Sequence, residues 1–294
     1  MKIIVILFFS MLLALPTYGQ NRETDYLSHV LEKMNAVESV TYHCVKKAWE
    51  PGDKEPVYSV PTEIYEHVNP QDTAVGYSFL CASDKEFRQP LWVYDGTVFA
   101  YIEKEEKEVR IDDFTQKSPL PFRVIMPQAF GCMKSILEYV LNTQDSIVLS
   151  LKDEGKDYLM ELSIHTPYQV EFFGKACYMP QNPYIYDPTS IYKIWISKEN
   201  DMPYRYRREM QHSISESICS DFVYNPSGKG KIVAEDYYPA DYVRRIKGEK
   251  SQKATVDMTG KKAPDWTLTD MKGQKVSLSG IKSKVILLKF TGIG

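Results

Sequence analysis

The chain has 294 residues, with 36 basic and 39 acidic side chains and a net charge of −3. That mildly acidic balance gives no electrostatic reason to expect a nucleic-acid partner, and no apolar run reaches the roughly 20 residues that a bilayer span requires. The 21 tyrosines and 12 phenylalanines suit extensive β-structure.

Lys2 precedes an apolar run, Ile3–Leu15, followed by Pro16 and by small residues at Thr17 and Gly19. A basic start, a short apolar core and small residues before the cut predict a secretory signal over residues 1–19, cleaved before Gln20. No cysteine stands near the cut, which argues against a lipid-anchored form. The mature chain is therefore expected to be exported, periplasmic or secreted, with no stable membrane span.

From Thr24 to Met34, apolar residues at Tyr26, Leu27, Val30, Leu31 and Met34 share one face of a helix, with Thr24 or Asp25 as N-cap. The period then changes to two. Strands are predicted at 40–49, 63–68, 75–82, 91–94, 98–103, 108–112, 147–152, 158–165, 170–179, 191–197, 204–211 and 217–224. One further helix interrupts them at Cys132–Asn142, where Met133, Ile136, Leu137, Val140 and Leu141 form an apolar stripe. Asp95-Gly96 predicts a two-residue hairpin turn, since both positions tolerate positive φ. Glu154-Gly155-Lys156 and Lys198–Asp201 are weaker turn signals.

Several tempting features have plain readings. His43 and Cys44 adjoin in a strand and so point to opposite faces. His165 and His212 each stand alone. Lys104–Glu108 is a solvated hairpin turn. Tyr204-Arg-Tyr-Arg-Arg208 is an outward arginine row rather than a nucleic-acid stacking platform. Ser227-Gly-Lys-Gly230 lacks a phosphate-binding pattern. Five cysteines (Cys44, Cys81, Cys132, Cys177 and Cys219) form neither a C-x-x-C nor a metal-ligand spacing, so no metal or other cofactor is expected. Most are read as small buried apolar residues. Their odd number leaves at least one thiol unpaired, and sequence does not say which pair, if any, is bridged.

Taken together, the pattern is mainly β (α+β): a large, curved antiparallel sheet with two covering helices. It resembles the lipoprotein-carrier (LolA-like) half-barrel. The resemblance is carried by Leu31, Lys33, Met34, Val37, Ser39 and Val40, by Trp92-Val-Tyr-Asp-Gly-Thr97, and by Tyr192–Ser197 with Pro203-Tyr-Arg205. It implies a concave face that can hold acyl chains and a convex face that is wet. Bulky Leu, Met and Ile on both helix stripes predict that the concave face is filled rather than left as a cleft.

Residues 20–247 are assigned to this domain and the charged, apolar-poor residues 248–258 to a linker. Residues 259–294 resemble the opening of a redoxin (thioredoxin-like, TlpA/ResA-type) domain, through Gly260, Ala263-Pro-Asp-Trp266, Leu268, Gly273, Val276, Leu278 and the apolar run Val285–Phe290. The resemblance implies two short strands, a buried central strand, and then a redox cysteine at a helix N-terminus, where the helix dipole favours the thiolate. Its C-x-x-C would fall just after Gly294, so no catalytic, cofactor-binding or metal residue is assigned within the chain. The function expected from this resemblance is an exported thiol–disulfide oxidoreductase, acting on a thiol or disulfide partner protein but without redox cysteines in the chain as given. Two alternatives stand beside it: a periplasmic carrier for an apolar, lipid-like ligand, and a peroxiredoxin-like peroxide reductase.

Overall fold

The structure, a computed structural model, describes residues 17–115, 123, 125, 127–248, 260–270, 272–283 and 285–286. It divides into two compact units, Met1–Glu249 and Lys250–Gly294.

The first unit opens with helix α1 (Thr17–Asn35), followed by strands β1 (Ser39–Trp49), β2 (Tyr58–Val68), β3 (Tyr77–Ala82), β4 (Pro90–Tyr94), β5 (Val98–Glu103) and β6 (Glu108–Asp113). Helix α2 (Ala129–Asn142) comes next. The chain continues through β7 (Ile147–Asp153), β8 (Asp157–Ile164), the short pair β9 (Val170–Phe172) and β10 (Ala176–Tyr178), then β11 (Ser190–Ser197), β12 (Met202–Met210), β13 (Ser213–Tyr224) and β14 (Val243–Ile246).

Twelve strands form one open, curved sheet in the order β14-β6-β5-β4-β3-β2-β1-β13-β12-β11-β8-β7. Every pairing is antiparallel except β14 with β6. The first and second halves of the chain meet at the β1–β13 seam, where Cys44 lies opposite Cys219 and Trp49 opposite Ile214.

Alternation along each strand sends one set of side chains toward the helices. Tyr42, Phe79, Tyr94, Met160, Leu162, Tyr192, Ile194 and Ile196 form a single core with Leu27, Val30 and Met34 of α1 and with Phe130, Met133, Ile136 and Leu137 of α2. The opposite face of the β2–β6 region is also covered. There Tyr65, Leu80, Val93, Ala100, Ile102 and Val109 pack against Ile232 and Ala234 of the returning chain. The expectation of a wet convex face is corrected over this region. All six residues of β3 are buried, because a segment after β13 lies across their far side.

The other departures are local. Helix α1 starts before the predicted N-cap, so Thr24 lies within it and its carbonyl accepts a hydrogen bond from Ser28 Oγ at 2.8 Å. The predicted strand 170–179 is broken into β9 and β10. Gly174 turns between them at φ +82, and a Cβ there would collide with the backbone of Val75. At Asp95-Gly96 only the glycine has positive φ. Asp95 instead accepts from Thr97 N at 2.8 Å and Val98 N at 3.0 Å through its own carboxylate, so the turn is a side-chain-stabilised loop rather than a two-residue hairpin. Strand β14 was not predicted, because its sequence Val-Arg-Arg-Ile is short and charged.

Among its described residues the second unit contains one hairpin, β15 (Thr267–Thr269) with β16 (Lys275–Ser277), closed by Asp270, which accepts from Lys272 N and Gln274 N at 2.8 Å each. The buried central strand predicted at Val285–Phe290 is not borne out where it can be seen: Val285 is 84% exposed and Ile286 39%. Residues 287–290 lie outside the described residues, as do residues 1–16 of the expected signal peptide (1–19) and residues 249–258 of the expected linker (248–258).

Candidate functional site

Where α2 begins, the helix-bearing face of the sheet opens into a cleft of about 760 Å³. Its apolar wall is built by Tyr58 and Val60 of β2, Phe79 of β3, Trp92 of β4, and Phe99 and Tyr101 of β5. These side chains fall on one face because each strand contributes alternate positions in register: Trp92 stands opposite Tyr101 and Cys81, and Tyr94 opposite Phe99 and Phe79. Aromatic contacts hold the wall together, with Phe99 edge-on to Tyr101 at 4.7 Å and Phe79 edge-on to Phe99 at 6.1 Å. Several of these apolar groups remain wet. Tyr58 is 50% exposed, Tyr101 46% and Val60 40%, and all three line the same cleft. The expected filling of the concave face is thus corrected: the helices fill it beneath themselves and leave this end open.

Next to the cleft, the start of α2 rests on a buried polar joint. Glu66 on β2 has no solvent exposure and faces the first turn of α2. Phe130 N donates to its Oε1 at 3.0 Å and Gly131 N to its Oε2 at 3.1 Å, while Tyr42 Oη also donates to Oε1. A strand carboxylate therefore caps the helix in place of a local N-cap side chain, which Gln128 does not supply. Burial pushes the Glu66 carboxyl up to about 7, against the opposing pull of these hydrogen bonds. Gly131 permits the approach, since a Cβ there would lie 2.9 Å from Glu66 Oε2 and 3.0 Å from the Tyr77 ring.

Charged groups border the cleft on two sides. Lys46 of β1 donates to the neutral Gln128 and sits 5.3 Å from the Trp92 ring centre. Across from it, Arg208 of β12 and Glu171 of β9 form a buried ion pair, with Arg208 Nε 2.8 Å from Glu171 Oε2 and Arg208 Nη1 donating to Ser213 Oγ at 2.9 Å. This corrects the outward arginine row. Arg205 and Arg207 do face outward, over Trp195 and Trp49, but Arg208 shares parity with Tyr206 and Met210 and turns in. The signal was available in the alternation, because in Tyr204-Arg-Tyr-Arg-Arg208 the last arginine occupies a tyrosine position.

The motif Trp92–Thr97 supports this wall. Tyr94 Oη donates to the buried Asp72 at 2.6 Å and accepts from Arg123 Nη1 at 2.7 Å. The remaining sequence features fall elsewhere. His43 pairs with Glu63 at 2.8 Å, His212 contacts Gln169 at 3.3 Å, and Lys229 lies over the rings of Tyr65 and Phe87. All five cysteines are buried and unbridged. Among the described residues, no three His, Cys, Asp or Glu side chains converge as a metal site would require.

The fold defined by this strand order is an open antiparallel half-barrel with two helices on its concave side. No protein-family model matches the sequence, and no curated protein matches it. Similar solved structures include the lipoprotein LppX of Mycobacterium tuberculosis, at 7% identity and a TM-score of 0.36 over 72% of this chain and 99% of that one. A LolA-superfamily protein of Nitrosomonas europaea is 10% identical, with a TM-score of 0.27 over 74% of this chain and 99% of that one. A putative outer-membrane lipoprotein-sorting protein domain of Vibrio parahaemolyticus is 7% identical, with a TM-score of 0.31 over 73% and 95%. All three TM-scores lie below 0.5, so the fold assignment rests on the strand order and register above.

Proposed function

We propose that the sheet unit is an exported carrier that holds an apolar, chain-like ligand in the cleft beside α2. The observation that carries this reading is a cleft within the roughly 300–1,000 Å³ range of small-molecule sites, walled by exposed aromatic and aliphatic side chains. Lys46, whose hydrogen-bond partner is neutral, suits the anionic end of a fatty-acid-like molecule. Titrating the protein with a fluorescent fatty-acid probe should give saturable binding at micromolar Kd. Ala48 lines the cleft on β1, and Ala48→Trp should weaken that binding about tenfold or more while leaving the circular dichroism spectrum unchanged, since 1.4 kcal/mol of lost contact already costs tenfold. Absence of saturable binding, or undiminished binding by the plugged variant, would remove the carrier reading. Export itself is checked by N-terminal sequencing of the secreted product, which should begin at Gln20.

A second reading concerns residues 259–294, which we propose as the opening of a redoxin-like unit. It is supported by the β15–β16 hairpin and by Asp265, which accepts from Ser279 N at 2.9 Å and Ser279 Oγ at 2.8 Å and so ties the Ala-Pro-Asp-Trp segment to the end of β16. The chain should not reduce insulin disulfides above a thiol-free control, because each of its cysteines is buried in the sheet unit. Turnover abolished by a serine at any of the five would overturn this. The charged composition of 248–258 leads to a further expectation: limited trypsin digestion should cut between Lys247 and Lys261 and leave a stable core of the sheet unit.

A further inference from the structure

The five cysteines differ in what they face. Cys81 on β3 stands two strands from Cys44, a separation of about 10 Å, with Ile64 and Trp92 as its own register partners. Cys132 belongs to α2 and Cys177 to the separate β9–β10 pair. Cys44 and Cys219 are direct register partners across β1 and β13, between the pairs His43↔Ser220 and Val45↔Ile218. Both belong to the core cluster on the helix-bearing face and are buried, at 0% and 4% exposure. Opposed residues in antiparallel strands have Cα atoms about 4.5 or 5.5 Å apart, depending on the pair type. Either value falls within the window of roughly 4.4–6.8 Å that a disulfide bridges without moving the backbone.

We propose that Cys44 and Cys219 form an inter-strand disulfide that staples the β1–β13 seam, acquired by exchange with an external disulfide before the seam closes over them. In the first step the Cys44 thiolate attacks one sulfur of the oxidant R–S–S–R′. A mixed disulfide Cys44–S–S–R forms and R′S⁻ leaves. Cys219 then loses its proton and attacks the Cys44 sulfur, which breaks the mixed disulfide and releases RS⁻. Two protein thiols are oxidised by two electrons, one oxidant disulfide is reduced to two thiols, and the two protons pass to solvent or to those thiolates. The two cysteines can exchange roles in this sequence, and the products are the same.

The position gives the bond its consequence. In the twelve-stranded order the β1–β13 pairing joins β2–β6 to β7, β8, β11 and β12. A covalent link there closes the long chain loop that contains most of the sheet, which is where a disulfide constrains the unfolded state most.

The test uses the full chain, unfolded in guanidine with reductant and refolded in oxidised and reduced glutathione. Thiol titration under denaturing conditions should fall from five to three per chain. Non-reducing peptide mapping should join the Cys44 and Cys219 peptides. The thermal midpoint should rise by roughly 10 °C, and reductant should reverse the rise. Cys44→Ala/Cys219→Ala should keep three titratable thiols and show a midpoint that reductant does not move. Mapping of the unaltered chain needs no variant to fold. Five titratable thiols after oxidative refolding, or a bridge from Cys44 to any cysteine other than Cys219, would overturn the proposal.

Discussion

Beneath α1 and α2 the sheet presents Met160, Leu162, Ile194 and Ile196, none with measurable solvent exposure, whereas toward β5 the same face presents Trp92, Phe99 and Tyr101, the last 46% exposed. Both sets obey the same alternation and both are apolar. They differ in cover. Twelve strands at about 4.8 Å spacing span roughly 50 Å, while α2, at 14 residues, is only about 21 Å long. Helix α1, at 19 residues, is about 28 Å long, but the two helices pack on each other and over β12, away from β4 and β5. The place where α2 starts, fixed by Glu66 and Gly131, decides which aromatic residues become core and which become wall.

That contrast can be broken most strongly by paired truncations. Phe172 of β9 is 1% exposed and packs edge-on against Tyr139 of α2 at 5.5 Å and Tyr192 at 5.0 Å. Phe172→Ala should cost about 3–5 kcal/mol in urea unfolding, as deletion of a packed aromatic does. Tyr101→Ala on the uncovered side should cost less than about 1 kcal/mol. Equal losses would mean that the cleft is closed in solution.

The joint itself is sharpened by pH. The folded-state pKa of Glu66 is raised by burial from 4.5 to about 7, so between those values the folded protein holds a proton that the unfolded chain has released. This contribution to stability is fully present below pH 4.5 and is lost as pH rises through 7, a change of about 3 kcal/mol at most. Glu66→Gln removes the titration, so urea midpoints measured from pH 4.5 to 8 should fall less steeply in the variant. Parallel slopes would show that Glu66 keeps an ordinary carboxylate pKa in the fold.

A smaller effect is expected at the helix side of the joint. In Gly131→Ala the added methyl meets a carboxylate and a ring at 2.9 and 3.0 Å, and the buried Tyr77 has little room to yield. A loss of about 1–3 kcal/mol is expected from such overpacking, despite the better helix propensity of alanine. The probe affinity of the cleft should fall in parallel, because α2 forms part of its rim. A stabilised variant with unchanged binding would mean that α2 does not rest on Glu66.

Much of the fold was legible in the sequence because period-two and period-3.6 patterns report local geometry directly. The helix faces of Leu27, Val30 and Met34 and of Met133, Ile136 and Leu137 were read correctly, as were most strands. The misses share a physical cause, which is dependence on a distant partner. Strand β14 has no apolar pattern of its own and exists because Val243–Ile246 pairs with Glu108–Ile111. The break between β9 and β10 follows from contact of Gly174 with Val75. Glu66 reads as one polar residue in a strand until α2 is placed over it, whereas the inward turn of Arg208 was legible in its parity with Tyr206 and Met210.

The sequence by itself determined the alternation of faces, the two amphipathic helices and the turn positions, since each depends on residues within a few positions of one another. Tertiary structure alone decided which face is covered, which opposed cysteines meet at the seam and where the cleft opens. Those outcomes depend on pairings between residues more than a hundred positions apart, such as Cys44 with Cys219 and Val243 with Glu108. Loop closure on that scale leaves no periodic trace in the chain.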